Sequence, residues 1–437
     1  MKRKLWLRHL AVLTSLALVL AACGDADDEP DDDIDEVEDV DDVDDDLDEE
    51  EDEEALDIDR PERDDVLNLG YLLPETGDLA TLGLPQIEAT LLAVDDINAA
   101  GGVLGSDVTI DSGDEASDGA IAREETARLI NAGVDAVIGA AASGMSQEVI
   151  GLLHDNEIVQ CSASNTSPAF TDQDNNTYYV RTVPPDEAVT GIIADEVIGD
   201  GYSNVAVLSR ADDYGVALAD LVVESLEEGG VDVAVNESYN PDDPDFAALV
   251  TEVDNAGADA AVVVGFDEAI DLFRQLIEGG VSSDALYGAD GLFGPHLLDD
   301  VGTDIEGLKV IGASGGEDFN QRLNEMLPDD EQGNVIYGGQ AYDCVIIIAL
   351  ASIAAESADP VVFNDFLEDV TRDGTECASF AECAELLEAG EDIDYVGATG
   401  PIELDRPDPT FGRYAVGEFI GDALEIVGDH DVDLGEL

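Results

Sequence analysis

Positively charged residues are scarce in this chain. Its 437 residues include 16 Lys and Arg against 105 Asp and Glu, which gives a formal net charge of −89. This balance excludes proteins that bind nucleic acid by neutralising its phosphates with Lys and Arg, and it disfavours docking of the body on anionic lipid. Beyond residue 65 there is one lysine, Lys309. We hypothesise a saline habitat, where salt screens repulsion between carboxylates; an acidic exported protein from an ordinary habitat is the alternative.

Long apolar runs are also lacking. Residues 10–20 are apolar and follow the basic start MKRKLWLR, but this run is too short to span a bilayer and predicts a signal peptide over 1–22. It ends in LAAC at 20–23, which looks like a bacterial lipobox, so we predict lipidation of Cys23 and a stable anchor through several acyl chains. An ordinary signal peptide that contains a cysteine is the alternative. No later run is long enough to cross a membrane.

A block of acidic residues follows the signal peptide. Residues 25–65 contain 28 Asp and Glu and two basic residues, Arg60 and Arg63. Such a block repels itself and stays extended, so we predict a disordered acidic tether over 23–65. The block lacks the glycine turn and the ligand spacing of an EF-hand loop, and we therefore predict no calcium site in it.

From residue 66 the chain alternates short apolar runs with amphipathic segments. Apolar runs at 66–73, 134–139 and 158–161 predict strands, and residues 84–99 predict a helix with apolar positions every three or four residues. Repeated strand–helix units indicate a parallel sheet with right-handed crossovers. A second series covers about 184–312, and a long apolar helix over 342–355 and a strand-rich end follow. We therefore predict an α/β fold with two doubly wound parallel-sheet lobes and a ligand site between them.

Cysteines are few, and after Cys23 their number is even. Cys377 and Cys383 are six residues apart, and in an oxidising compartment they predict a short local disulfide. Cys161 and Cys344 are either a second disulfide or two buried thiols, because the sequence does not give their distance. No histidine lies near these cysteines, so we predict no metal site.

Several motifs in the body occur in a specific order. They are NLGYLLPETGD at 68–78, AVDDINAAGGVLG at 93–105, VIG at 137–139, SNTSP at 164–168, RTVP at 181–184, DDYG at 212–215, YGADG at 287–291, QAYD at 340–343 and GRY at 412–414. In this order they resemble type I periplasmic-type solute-binding proteins, in the leucine/isoleucine/valine-binding branch that feeds ABC importers. The resemblance covers about 66–425.

The resemblance implies two lobes joined by a three-segment hinge that closes on ligand. Lobe 1 would comprise 66–183 plus 318–395, and lobe 2 would comprise 184–317 plus 396–437. The protein would be a monomer on the extracytoplasmic face of the bacterial membrane, held there only by its lipid anchor. It would bind an amino acid without a cofactor and deliver it to an ABC permease and its ATPase.

The resemblance also implies where the two charged groups of the ligand bind. Ser143 follows a strand and opens a helix, and the matching family serine binds the α-carboxylate, as does the threonine that matches Thr166. A hydroxyl with free helix amides suits a carboxylate, although a plain N-cap has the same sequence. Ser164 and Asn165 shape the same loop as Thr166, either for ligand contact or as ordinary turn residues. Asp290 matches the acid that pairs with the α-ammonium.

The sequence says less about the part of the predicted site that would contact the side chain of the ligand. Tyr214 matches a tyrosine that covers the ligand, and Phe266 would form either a wall of the pocket or part of the core. Near Leu82 the sequence departs from relatives that carry an aromatic residue there. An ammonium–carboxylate ligand is therefore better supported than leucine itself, and amides, urea or short acids stay alternatives.

Two other classes of function compete with transport. Residues 312–316, GASGG, fit the G-x-S-x-G pattern of hydrolases, with Asp343 and His430 in the corresponding order. Because His430 lies in an acidic tail and short Gly/Ser patterns arise by chance, we expect no enzyme activity. A sensor or tethered co-receptor would use the same fold, but we find no transmembrane and signalling segment after the body.

Overall fold

The computed structural model describes residues 56–436, apart from 174–175, 244, 303 and 329–330. The predicted signal peptide, Cys23 and most of the predicted tether lie outside the described residues. No helix in the described ranges is both long and apolar enough to cross a membrane.

The first sheet has five parallel strands in the order β2-β1-β3-β4-β5. Its strands are β1 Asn68–Leu73, β2 Thr109–Asp114, β3 Ala136–Gly139, β4 Val159–Ser162 and β5 Tyr179–Arg181, and its connecting helices are α1 Ala80–Ala100, α2 Gly119–Ala132 and α3 Ser143–Asp155. The central strands β3 and β4 are fully buried because helices cover both faces, which is why they read as continuous apolar runs.

The second sheet begins after the chain leaves β5. Its elements are α4 Glu187–Gly199, β6 Asn204–Arg210, α5 Asp213–Glu228, β7 Asp232–Tyr239, α6 Ala247–Ala256, β8 Ala260–Val264, α7 Ala269–Glu278, β9 Leu286–Gly288, α8 Leu297–Asp300 and β10 Lys309–Ala313. Strands β6 to β10 pair in parallel, so a second doubly wound unit follows the first, as predicted.

The chain then returns to the first lobe. The returning elements are α9 Glu317–Asn324, α10 Gly338–Ala354, α11 Pro360–Phe363, β11 Thr375–Cys377, α12 Phe380–Glu388, β12 Ile393–Gly397, β13 Gly400–Pro401, β14 Leu404–Asp405 and β15 Asp408–Pro409. The apolar helix α10 is buried through most of its length. Arg181 of β5 bonds Asp408 at 2.6 Å, which holds β15 against the first lobe beyond the expected lobe boundary at 395.

Two antiparallel strands complete the second sheet. They are β16 Phe411–Ile420, which pairs with β10, and β17 Ala423–Asp433, which pairs with β16 at the edge. The chain therefore passes between the sheets near residues 182–186, near 314–316 and near 410. These passages form the three-segment hinge.

Two disulfides lie in the first lobe. Cys161 of β4 is bonded to Cys344 of α10, with their Cα atoms 5.8 Å apart. Cys377 of β11 is bonded to Cys383 of α12. The pair that the sequence left open, Cys161 and Cys344, therefore joins the first sheet to the helix that covers it.

The N-terminal strap, residues 56–65, lies along the first lobe, although the sequence places it in the disordered tether. Arg60 donates to Val134 O at 3.0 Å and pairs with Asp135 at 3.2 Å. Arg63 pairs with Asp359 at 2.7 Å, and Ile58 packs on the core of the first lobe. The two arginines of an otherwise acidic block thus fix its last ten residues to the body.

Candidate functional site

A small cavity lies between the lobes, at the carboxyl ends of strands from both sheets. Its volume is about 20 Å³, room for roughly one water, so the lobes are closed on each other here. It is lined by Leu79, Leu82, Ala141, Ala142, Ser143, Ser164, Tyr214, Phe266, Asp290, Gly291 and Tyr337. Five of the residues predicted from the sequence are in this set: Ser143, Ser164, Tyr214, Phe266 and Asp290.

The start of α3 forms the first-lobe side of the cavity. Ala142 is the N-cap, with no side-chain cap, and Ser143 is the first helical residue. The first amides of a helix lack partners within it and favour an anion. The turn before α3 requires glycine, because Gly139 has φ +116° and a Cβ there would lie 2.1 Å from Leu72 O.

The buried Glu115 supports this turn. Its carboxylate accepts hydrogen bonds from Ala141 N at 2.9 Å and Ala142 N at 3.5 Å. Burial raises the pKa of Glu115 to about 8, an effect that these amides oppose. Glu115 therefore fixes the segment that leads into Ser143.

The loop after β4 packs directly against this turn. Ser164 Oγ donates to Ala141 O at 3.0 Å, and Asn165 Nδ2 donates to Ala141 O at 2.8 Å. The carbonyl of Asn165 accepts from Arg181 at 2.8 Å. Asn165 does not line the cavity; it joins two loops, while Ser164 both joins them and faces the cavity.

Asp290 is the centre of the second-lobe side. Its Oδ1 accepts from the Tyr214 hydroxyl and its Oδ2 from the Tyr337 hydroxyl. Burial raises the pKa of Asp290 above its usual range, and the two tyrosine hydroxyls oppose this rise. Tyr214 stacks on Phe266 with ring centroids 5.1 Å apart, and Arg210 lies over Phe266, 3.8 Å from its centroid. Phe266 is thus held between two neighbours with one edge at the cavity.

A second buried acid, Asp186, was missed in the sequence. It begins α4 at the first passage between the lobes, yet its side chain makes no cap bond. Within the described residues neither of its oxygens makes a hydrogen bond of standard geometry, although the Thr166 hydroxyl lies near enough to interact with the carboxylate. Burial, and then the charge of Asp290, raise the pKa of Asp186 to about 8, and nearby Thr166 and Arg181 offset part of the rise.

Neither Asp186 nor Tyr337 had a distinctive sequence signal. Asp186 follows two prolines and has the sequence of an ordinary N-cap. Because its side chain makes no capping hydrogen bond, its carboxylate is available to another partner. Tyr337 precedes Gly338 and Gly339 and reads as a residue before a helix start. Only the fold brings both near Asp290.

The residues of the hydrolase alternative do not form a triad. The Asp343 carboxylate accepts from the Tyr395 hydroxyl at 2.8 Å and from the Thr399 hydroxyl at 2.7 Å. Ser314 Oγ donates to Gly315 O and accepts from Asn320 Nδ2, while His430 lies on β17 opposite Tyr414. Asp343 fixes the end of β12 and the residues that follow it rather than orienting a histidine.

A larger cavity, of about 820 Å³, lies between α9 and strands β16 and β17. None of the predicted ligand residues lines it. Arg413 in its lining pairs with Asp431 at 2.8 Å, so this arginine already has an acidic partner. We therefore assign the candidate site to the smaller cavity, where buried polar groups from both lobes converge.

Comparisons with known proteins agree with this geometry. A family model described as "Periplasmic binding protein" matches residues 66–408. A leucine-, isoleucine-, valine-, threonine- and alanine-binding protein of Pseudomonas aeruginosa is 27% identical over 63% of this chain and 74% of its own length. A Leu/Ile/Val-binding protein homologue of Brucella abortus is 30% identical over 62% of this chain and 73% of its own.

The fold also has a close match among solved structures. The branched-chain amino acid transporter substrate-binding protein of Streptococcus pneumoniae, solved in complex with isoleucine, superposes with a TM-score of 0.69 at 22% identity. The match covers 84% of this chain and 99% of that one.

Proposed function

Because this chain belongs to the type I periplasmic binding proteins, in their leucine/isoleucine/valine-binding branch, we propose that it binds an amino acid between its lobes and delivers it to an ABC permease. The observation that carries this proposal is the convergence of Ser143 and Ser164 from one lobe with Tyr214 and Asp290 from the other around one buried cavity. The protein performs no chemistry on its ligand.

The two charged groups of an amino acid match two sides of the site. The carboxylate binds at the start of α3, to Ser143 and its neighbouring amides, with Thr166 as a further hydroxyl donor. The ammonium binds to Asp290 and also to Asp186, whose two oxygens have no partner but the nearby Thr166 hydroxyl within the described residues. An ammonium near both acids relieves their mutual repulsion, so charge complementarity favours a cationic group here.

The side chain of the ligand meets an apolar wall. Leu79 and Leu82 line the cavity from the first lobe and Phe266 lines it from the second. Among the described residues that line it none is cationic, which disfavours a ligand with an acidic side chain. We therefore propose an aliphatic amino acid, in line with the ligands that the names of the relatives state.

The N-terminal region supports an extracytoplasmic location for the protein. The signal sequence and Cys23 favour export and lipid anchoring on the extracytoplasmic face, with the acidic tether between anchor and body. A permease and its ATPase are the partners that this role requires, and the protein acts as a monomer.

Calorimetric titration tests the proposal. Wild type in molar NaCl should bind one or more of L-leucine, L-isoleucine, L-valine and L-alanine. Asp290→Ala should weaken binding by about 2–5 kcal/mol, because it removes one of the two carboxylates that we propose for the buried ammonium. Asp232→Asn, an exposed acid of the same lobe, is the matched control and should bind like wild type. Retained affinity in folded Asp290→Ala would overturn the assignment.

The same titration separates the alternatives. Binding of amides, urea or short acids alone would keep the transport function but remove the ammonium role of Asp290. No binding of any of these solutes by folded protein would favour the sensor. Turnover of a fluorogenic ester that Ser314→Ala abolishes would favour a hydrolase.

A further inference from the structure

We propose that Tyr337 is a positioning residue that couples Asp290 to closure of the two lobes, through a hydrogen bond that crosses the cleft. The inference rests on the proposed function only for its effect on affinity. Its effect on closure holds for any ligand and for the protein without one.

Tyr337 is fixed to the first lobe. It is the residue before α10 and is 1% exposed. Its carbonyl accepts from Ala341 N at 2.9 Å, and the next residue, Gly338, donates to Val335 O at 3.2 Å. The disulfide from Cys344 ties the same helix to β4 of the first sheet. The phenol therefore moves with the first lobe.

Asp290 is fixed to the second lobe. It lies two residues beyond the end of β9 and begins a 3₁₀ turn over Asp290–Leu292. The preceding Ala289 donates to Val263 O of β8 at 3.0 Å. The hydrogen bond from Tyr337 to Asp290 Oδ2 therefore joins two bodies that separate when the hinge opens, whereas the bond from Tyr214 to Oδ1 stays within the second lobe.

The backbone of Tyr337 gives independent support. Its φ is +58°, in the left-handed region, which is unfavourable for a residue with a Cβ and persists where surrounding contacts enforce it. Glycine would adopt this conformation more easily, and two glycines follow at 338 and 339. A tyrosine here is best explained by what its hydroxyl contacts.

The position of this bond links ligand binding to closure. Tyr337 donates to one oxygen of the acid that we propose for the ammonium, so it orients that carboxylate only when the lobes are together. A second interlobe contact, from Thr81 Oγ1 to Asp267 Oδ2 at 3.2 Å, lies outside the set of residues that line the cavity. The contact of Thr81 with Asp267 therefore joins the lobes outside the cavity, and the contact of Tyr337 with Asp290 joins them inside it. Of these two contacts, only the second involves the acid that we propose for ligand binding.

Distance measurements between spin labels test the inference. Labels on Asp78→Cys and Asp242→Cys, exposed residues beyond the carboxyl ends of β1 and β7, report the opening of the cleft in the full chain. In ligand-free protein, Tyr337→Phe should raise the ratio of open to closed molecules by about tenfold or more, as expected for loss of a hydrogen bond to a charged group. Tyr214→Phe removes the same-lobe donor to the same carboxylate and should raise that ratio less than Tyr337→Phe does.

Two further readouts keep the test decisive. Asp290→Asn changes the acceptor and should open the cleft in the same way as Tyr337→Phe, with little added effect in the double variant. For an amino acid that binds, Tyr337→Phe should raise koff about 10- to 100-fold while kon changes little. An unchanged open fraction in folded Tyr337→Phe, or equal opening by Tyr214→Phe, would overturn the inference even if amino acids bind as proposed. If no amino acid binds, the distance measurement still decides it.

Discussion

Asp186 and Asp290 are buried acids close to each other, and their interaction affects the stability of the free protein. An unfolded Asp ionises near pH 4, whereas burial and the charge of Asp290 hold the pKa of folded Asp186 near 8. Between these two values the native state binds the additional proton, so its stability falls as pH rises and the loss is complete above about pH 8. The free protein is thus destabilised at neutral pH by the group that we propose for ligand binding.

Asp186→Asn should remove this part of the pH dependence. The slope of the unfolding free energy between pH 5 and 8 should become less negative by up to about 1.4 kcal/mol per pH unit, since one titrating proton is lost. Urea unfolding at several pH values in molar NaCl measures the slope. Asp155→Asn, a strongly exposed acid of the first lobe, is the control, and an equal change in both variants would argue against a special role for Asp186.

Sequence reasoning at this scale led to cavity residues where a motif marks them, and it missed an acid and a tyrosine outside the motifs. Tyr214 and Asp290 lie in the motifs DDYG and YGADG, and both line the cavity. Asp186 is one of 105 acidic residues, and nothing local distinguishes a buried acid from a solvated one. Tyr337 was missed because its partner is 47 residues away in another lobe.

At the scale of elements, helix α1 begins earlier than the sequence predicts. The sequence suggests a start at 84, beside Pro85, whereas the helix begins at Ala80 and contains that proline. Pro85 has no N–H, so the carbonyl of Thr81 loses its helical partner. Asn334 Nδ2 donates to that carbonyl at 2.7 Å. A tertiary contact thus compensates for the proline, and no local pattern could have indicated it.

A double-mutant cycle tests this compensation. Asn334→Ala should lower the unfolding free energy by about 1–3 kcal/mol, because the partly buried Thr81 carbonyl loses its donor. Pro85→Ala restores a helical N–H, so Asn334→Ala should cost about 1 kcal/mol less in that background. Urea unfolding of the four proteins gives the coupling. Equal costs in both backgrounds would contradict it.

The strands were easier to predict than the boundaries between lobes. Runs such as AAVVV in β8 and AVIG in β3 are apolar because helices bury both faces, and this signal is local. The return of the chain to the second sheet at β16 depends instead on the contact of Arg181 with Asp408, 227 residues apart. Such long-range pairs are absent from any short window of sequence.

At the scale of the whole molecule, charge dominates. The body from residue 66 carries 77 acidic and ten basic residues, and several of the basic ones are already paired: Arg210 with Asp212 and Glu268, and Lys309 with Glu196 and Asp200. Most carboxylates therefore lack a nearby counter-charge and repel each other. Salt shortens the range of that repulsion from about 10 Å at 0.1 M to about 3 Å at 1 M.

The melting temperature should therefore rise with salt. Between 0.1 and 2 M NaCl we expect an increase of at least several degrees at pH 7.5, since screening relieves self-repulsion in the compact state. Differential scanning calorimetry measures it. At pH 4.5, where part of the carboxylates are protonated, the increase should be smaller. A melting temperature that is insensitive to NaCl would contradict the saline-habitat hypothesis.

The N-terminal strap has a mechanical consequence. Residues 56–65 lie extended on the first lobe, and Arg60 and Arg63 bond it at Asp135 and Asp359. A force applied at residue 56 is borne by the hydrogen bonds of Asp57 and Asp59 with Asn131, by Ile58 and by the two arginine contacts. All of these contacts lie in the first lobe, so a pull on the strap is resisted there and leaves the hinge and the second lobe free to rotate.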